Sequence, residues 1–526
     1  MTQEKKTSHR DEAVLLLNKG KRGLLRVVFG RTAMVILLLV VQVFLLFTAF
    51  FRILGDFLIP YVAATGLIGT IMAAVIINDW RKSSSAKLTW IFLIFLIPVL
   101  AAPLYFFINM DLGHRLVHHQ LQTIYQQTRP LLQQDPEDLA ALPAESQGVA
   151  RYAYGVGGFP LCRGSDARYY PLGDDAFAAM LERLEAAEHF IFLEYFIIEE
   201  GYMWGRILSI LERKAREGVE VRVLYDGTCS LMLLPYSYPR KLEALGIQCK
   251  VFAPLRVLVS THYNNRDHRK ILVIDGKTAF TGGINLADEY INRKSPYGHW
   301  KDNAIEITGR AVDSLTLMFL QMWSVEGPSG EDYRRYLTAP SVEAPGFLMP
   351  FGSCPFGDER VGEMVYLDII NRAKRYVHVF TPYLILDNQL ATALTFAARR
   401  GVEVLLILPH IPDKKTIFAL AKTYYPQLLE GGVQIYEYTP GFVHAKVLVS
   451  DDERAVVGTI NFDYRSLYLH FECGVYMEGA KAVGEVEADI QNTLRSCEMV
   501  TLTQCRSRHL INKLIGAVLR LFAPLL

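Results

Sequence analysis

The sequence predicts a bilobal α/β protein: two similar halves related by a pseudo-twofold, each built on a largely parallel sheet, preceded by N-terminal transmembrane helices. Three observations predict it. Apolar residues are massed near the N-terminus, a strand–helix–strand pattern occurs twice further on, and one set of polar residues recurs at a fixed offset. At 526 residues the chain is too long for one core and calls for roughly two to four domains of about 150 residues each.

Residues 1–31 form a basic segment that includes Lys19, Lys21, Arg22, Arg26 and Arg31. Residues 32–110 read as a membrane domain, with apolar stretches from Ala33 to Phe51, Phe57 to Ile77 and Leu88 to Ile108. Each stretch approaches the roughly 20 residues that cross about 30 Å of hydrocarbon. The first lies too deep in the chain for a secretory signal, and no small-residue cleavage site follows it. Arg81, Lys82 and Lys87 lie between the second and third stretches. Basic loops stay in the cytoplasm, so three spans would place the rest of the chain on the outer face of a bacterial cell membrane.

Residues 111–148 are expected to form a linker, where QQDPEDLAALPAES suggests a mobile connection. Residues 149–345 and 346–500 are the two halves. HFIFLEYFII and a helix ending in KAREGVEVRVLYDG in the first answer to KRYVHVFTPYLIL and a helix ending in FAARRGVEVLLILP in the second. Gly218 and Gly401 follow the helices, where a left-handed cap is commonly needed. Alternating helices and short β-branched runs indicate βαβ units, hence parallel strands. The tail, residues 501–526, contains HLINKLIGAVLRLFAPLL, which reads equally as an interfacial amphipathic helix or as a helix packed on the body.

Charge and cysteine content exclude some functions. With 55 basic against 54 acidic residues the net charge is +1, which gives no bulk attraction for nucleic acid. The seven cysteines include no CxxC pair, so neither a zinc site nor a disulfide framework is indicated.

The chemistry lies in HRKILVIDGKTAFTGGIN and HAKVLVSDDERAVVGTIN. His268, Lys270, Asp275 and Asn285 recur as His444, Lys446, Asp451 and Asn461, each pair 176 apart (444 − 268 = 176). On a strand, residues two apart share a face, so each His and Lys point into one pocket. Each Asp lies an odd number of positions further on and faces away, as a structural partner that fixes local backbone or neighbouring side chains. Gly282–Gly283 and Gly458–Thr459 then let the chain approach closely and present the asparagines. Two lysines and two amides suit the oxygens of a phosphodiester and its transition state. A neutral imidazole can attack phosphorus, and an imidazolium can protonate the leaving alkoxide.

These residues match HxKxxxxDxxxxxxGGxN, the signature of the phospholipase D superfamily, here in two copies, and the resemblance runs over roughly residues 150 to 500. Thr459 stands where the second copy has its second glycine. The apolar region containing KLTWIFLIFLIPVLAAPLYFF resembles the membrane region of bacterial cardiolipin synthases, from whose two-segment pattern the extra first stretch departs. The resemblance implies a phospholipase D fold with His268, Lys270, Asp275, His444, Lys446 and Asp451 as the catalytic set. It implies that His268 is the nucleophile and His444 the acid and base. Lys270, Asn285, Lys446 and Asn461 would hold the phosphate, and Glu472 and Asp302 would orient the imidazoles, often across the two halves. It implies no metal and no other cofactor. The reaction implied is phosphatidyl transfer between two phosphatidylglycerols, giving cardiolipin and glycerol. Membrane phospholipids would then be the partners, and a membrane-bound phospholipase D or other transphosphatidylase is the alternative.

Overall fold

The computed structural model describes Phe44 and residues 58–79, 83–109, 112–229, 233–253, 265–325, 327, 332–357, 359–507 and 510–525. Apart from Phe44, the apolar stretch from Ala33 to Phe51 lies outside these. The second apolar stretch is helical over Leu58–Asn78. The third is not one rod. It is a helix Ser84–Leu96 and a helix Pro98–Asn109, because Ile97 leaves the helical conformation before Pro98, which disfavours helix in the residue preceding it. Met72, Ile76, Trp90, Ile94, Ala101 and Tyr105 form the small core of this bundle. Among the described residues no helix is long and apolar enough to cross a membrane.

The first half has a seven-stranded sheet. Its strands are β1 (Ser165–Tyr170), β2 (Phe190–Tyr195), β3 (Glu220–Asp226), β4 (Gln248–Phe252), β5 (Lys270–Ile274), β6 (Thr278–Gly282) and β7 (Ala304–Gly309), in the order β1-β7-β6-β5-β2-β3-β4. The second half has β8 (Phe347–Ser353), β9 (Tyr376–Phe380), β10 (Glu403–Pro409), β11 (Gln434–Tyr438), β12 (Val447–Ser450), β13 (Arg454–Gly458), β14 (His470–Glu478) and β15 (Cys497–Met499). Their order, β8-β14-β13-β12-β9-β10-β11-β15, repeats the first sheet and adds one edge strand. The duplication in the sequence is therefore a duplication of topology.

The sheets are mixed, not largely parallel. Within these two sheet orders, the described strands that run parallel are β2-β3-β4 and β9-β10-β11, where helices such as Tyr202–Arg216 and Asn388–Arg399 make the crossovers. Each signature is itself a hairpin: β5 pairs antiparallel with β6, and β12 with β13. The connections Asp275-Gly276-Lys277 and Asp451-Asp452-Glu453 are too short for a crossover, so antiparallel pairing is the available geometry. Gly218 and Gly401 have φ of 96° and 97°, the left-handed conformation expected after their helices.

The expected mobile connection is instead folded onto the body. Helix Leu112–Thr128 lies against helix Val312–Val325, with Gln120 donating to the Val325 carbonyl at 3.1 Å and Gln321 to Thr128 Oγ1 at 2.8 Å. Further on, Asp135 caps the short helix Pro136–Ala141, and buried Asp138 accepts from Arg163 Nε at 2.7 Å and Arg310 at 3.0 Å. Ser146 is buried and accepts from Arg372 at 2.7 Å. Asp138 and Ser146 of this stretch thus serve contacts with the body rather than solvent.

Candidate active site

Two short strand pairings between the halves build the site. Arg266–Asp267 pairs with His470 and Phe471 at the start of β14, and Gly441–Val443 pairs with His299–Lys301. Beside them His268 N donates to the Phe471 carbonyl at 2.9 Å, and His444 N to the Lys301 carbonyl at 2.7 Å. Each motif histidine is thus stitched to the segment of the other half that carries its acid.

The acids meet the histidines crosswise. His268 Nδ1 lies 2.9 Å from Glu472 Oε2, and His444 Nδ1 lies 2.7 Å from Asp302 Oδ2. A carboxylate only accepts, so each Nδ1 carries the proton and each Nε2 is the acceptor; that of His444 lies 3.1 Å from Lys446 Nζ. Both acids are fully buried, and the histidines are 8% and 7% exposed. Burial, then Lys270 and Lys446, push the His268 imidazolium well below its usual range. His444 is pushed down to about 4 by burial and Lys446, against the pull of Asp302. Burial raises the Asp302 carboxyl, but the His444 ring, Lys446 and the Asn303 backbone N–H together outweigh it and hold the group below its usual range. Both shifts favour the neutral imidazole, the form a nucleophile needs.

The lysines follow the strand geometry. Lys270 Nζ donates to the His268 carbonyl at 2.6 Å, and Lys446 Nζ to the His444 carbonyl while lying 2.8 Å from His444 Nδ1. The asparagines are not equivalent. Asn285 accepts from Ile197 N at 3.0 Å and donates to the Tyr290 hydroxyl at 2.8 Å, whereas Asn461 donates to Ser466 at 3.1 Å and its buried Oδ1 has no partner.

Asp275 and Asp451, grouped with the catalytic set above, are placed away from the pocket. Asp275 accepts from the backbone N–H of Glu188, His189 and Phe190 at 2.9, 2.7 and 2.9 Å. Asp451 does the same for Lys374, Arg375 and Tyr376 at 2.8, 2.8 and 3.0 Å. Odd spacing on the strand sends them to the opposite side, where each ties the hairpin turn to the start of β2 or β9. Burial raises the Asp451 carboxyl, but these backbone bonds overcome it and hold the group below its usual range. Asp451→Ala is expected to lower stability by about 3 kcal/mol, since three backbone donors lose a charged acceptor. A thermal melt of the variant beside its turnover checks this; unchanged melting with lost activity would return Asp451 to the catalytic set.

Sequence reasoning missed the residue two positions before each acid. Trp300 lies before Asp302 and His470 before Glu472, so strand alternation turns both toward the site. The Trp300 ring is 5.4 Å from His444, and the His470 ring is 5.6 Å from His268. Tyr290 and Phe442 complete an aromatic wall around His444, at 5.4 and 6.0 Å. The signal was available, because once an acid is chosen its i−2 neighbour shares its face. His268, His470 and Glu472 also bring ligand atoms within 4.8 Å of one another, a set that could hold a metal ion. His268 Nδ1 is already committed to Glu472, and the two lysines oppose a dication, so the residues fit an anion better.

A family profile described as "Cardiolipin synthase, PLD-like domain" matches residues 180–323 and 366–494, and one described as "Phospholipase_D-nuclease N-terminal" matches residues 68–108. The chain is 32% identical over 469 residues to a cardiolipin synthase of Alkalihalophilus pseudofirmus, covering 87% of this chain and 92% of that one. The chain belongs to the cardiolipin synthase family of phospholipase D-like proteins. An uncharacterized protein of Streptococcus mutans serotype c is more similar, 48% identical over 465 residues, with 88% of this chain and 100% of that one covered. The structure of a phosphatidylserine synthase from Haemophilus influenzae superposes with a TM-score of 0.54 at 15% identity, over 68% of this chain and 93% of that one. At that identity the likeness speaks for the fold alone, the bilobal α/β body of this family.

Proposed function

We propose that this chain moves a phosphatidyl group from one phosphatidylglycerol to the hydroxyl of another, giving cardiolipin and glycerol. The observation that carries the reading is the crosswise pairing of two histidines with two buried acids, in a member of this family. His268 Nε2 attacks phosphorus, the bond to the headgroup glycerol breaks, and His444 donates a proton to the departing oxygen. Anionic substrate beside His444 favours the imidazolium that this step needs. The phosphohistidine is then attacked by a hydroxyl of the second lipid, whose proton returns to His444 as the P–N bond breaks. Lys270, Lys446 and Asn461 face the phosphate, with Asn285 held by its protein partners. The aromatic wall of Tyr290, Trp300 and Phe442 crowds the histidine that receives the acceptor's proton, which favours a lipid hydroxyl over water.

The membrane reading is part of the same proposal. Helix Leu58–Asn78 and the broken pair Ser84–Leu96 and Pro98–Asn109 are read as a membrane hairpin holding the catalytic halves, residues 149–345 and 346–500, at the outer face of the cell membrane. Its support is the outward apolar surface of Val62, Leu67, Ile71 and Val75 on one helix and Leu88, Phe92 and Phe95 on the next. Labelled phosphatidylglycerol in mixed micelles, without metal or nucleotide, tests the reaction. Cardiolipin with equimolar glycerol is expected, and phosphatidic acid as the main product would replace the transferase by a phospholipase D.

The lysines set the pH dependence. Burial pushes Lys446 down to about 7 and Lys270 down to about 8. A lysine is charged below its pKa, so the positive charge facing the phosphodiester is lost as pH rises through this window. kcat/KM reports the free enzyme and is expected to fall about tenfold per pH unit from roughly pH 7 to 8, as Lys446 loses its charge, and more steeply above roughly pH 8 as Lys270 follows. Lys446→Arg stays charged and is expected to carry the alkaline limb upward. A limb unmoved in that variant would assign it to another group.

A further inference from the structure

We infer that the C-terminal helix Leu510–Phe522 is a bilayer-contacting anchor that seats the second half on the membrane surface. This rests on the membrane reading of the N-terminal helices. One side of the helix is fixed to the catalytic body. Arg520 donates to Gln427 at 3.1 Å and its guanidinium lies 4.6 Å over the Tyr424 ring, and Gly516 is packed so closely on Thr423 that an added Cβ would fall 2.5 Å from its methyl carbon. One end is fixed to the N-terminal bundle: Thr89, buried in helix Ser84–Leu96, donates to the Leu521 carbonyl at 2.6 Å. The helix therefore bridges helix Ser84–Leu96 and the second half.

Its outer side is apolar. Leu514, Ile515 and Val518 are 66%, 48% and 52% exposed, and their spacing puts them on one helical face. The neighbouring helix exposes Leu88, Phe92, Phe95 and Leu96 at helical spacing, 65%, 43%, 54% and 60% exposed. Exposed large apolar residues elsewhere on the body, such as Val156, Phe396 and Met499, have no exposed apolar companion on their own element. Scattered single residues of that kind need no explanation, but two touching helices with continuous rows do. The helix has 13 residues, too few to span, so it lies in the interface with its apolar face in the hydrocarbon edge. Because the same helix holds the second half, the anchor sets the height of the active-site mouth above the lipids.

Leu514→Glu with Val518→Glu in the full chain tests this. Turnover of phosphatidylglycerol in vesicles is expected to fall by about tenfold or more, while a short-chain phosphatidylglycerol below its micelle concentration is converted within about twofold of wild type. Equal rates on vesicles would overturn the anchor, and equal losses on both substrates would assign the residues to the fold. Disulfide cross-linking between chains at Val518→Cys in nanodiscs holding one copy is impossible. The same cross-link formed in proteoliposomes, with vesicle turnover unchanged in the double variant, would make the patch a contact between copies and also overturn the anchor. Wild type that makes no cardiolipin from either substrate would instead sink the proposed reaction and leave the anchor to be judged by bimane fluorescence at Val518→Cys, quenched by brominated lipids if the face is in hydrocarbon and unquenched if not.

Discussion

His268→Ala is expected to abolish phosphatidyl transfer, by a factor of about 10⁵ or more, because no other side chain can take over as the covalent nucleophile. His444→Ala is expected to cost about 10² to 10⁴ with the natural substrate, the range for a general acid and base. The two histidines stand in related positions, each paired to an acid of the other half, so loss of activity alone does not tell them apart. A nitrophenyl phosphodiester does. Nitrophenolate leaves without a proton, so His444→Ala should still release a burst of one nitrophenol per active site and then stall as the phosphohistidine. His268→Ala should give no burst. A burst from His268→Ala and none from His444→Ala would exchange the two roles. Acid-labile, base-stable phosphate on His268, found by peptide mapping of the stalled variant, completes the assignment.

Much of this was legible because it depends on spacing. The offset of 176 between the motif copies gave the duplication, and strand alternation placed His268 with Lys270 and His444 with Lys446 on one face while sending Asp275 and Asp451 away. The sheet direction was misread because βαβ logic applies to β2-β3-β4 and β9-β10-β11 but not to the motif, whose Asp275-Gly276 turn is a hairpin signal in plain view. The ordered state of residues 112–148 was hidden for another reason. Asp138 and Ser146 look like solvent-facing residues until Arg163, Arg310 and Arg372 are brought to them from distant parts of the chain. The crosswise pairs needed similar help, since the pairing of Gly441–Val443 with His299–Lys301 joins segments more than a hundred residues apart and has no local signature.

The departure of Thr459 from glycine leads to the second large effect. Gly283 and Thr459 are equivalent: Gly283 N donates to the Asn303 carbonyl at 3.0 Å and Thr459 N to the Cys473 carbonyl at 2.9 Å, in each case the residue after the acid. A Cβ on Gly283 would lie 1.9 Å from Asp302 Oδ1, so the short acid occupies the space a side chain would take. In the second half the acid is the longer Glu472, and Thr459 Oγ1 donates to its carboxylate instead. Glycine with aspartate and threonine with glutamate are thus two solutions to one problem, holding a carboxylate against an imidazole Nδ1. Asp302→Asn is expected to cost about 10² to 10⁴ in kcat, because the amide no longer fixes the His444 tautomer or stabilises its imidazolium. Gly283→Ala is expected to cost a comparable factor by displacing the acid, although it removes no functional group. Thr459→Ala, which deletes one of several contacts to Glu472, is expected to cost only about tenfold. Turnover measured beside thermal melting separates misplacement from unfolding. Wild-type turnover in Gly283→Ala would show that Asp302 need not hold its position, and the orienting role would then fall.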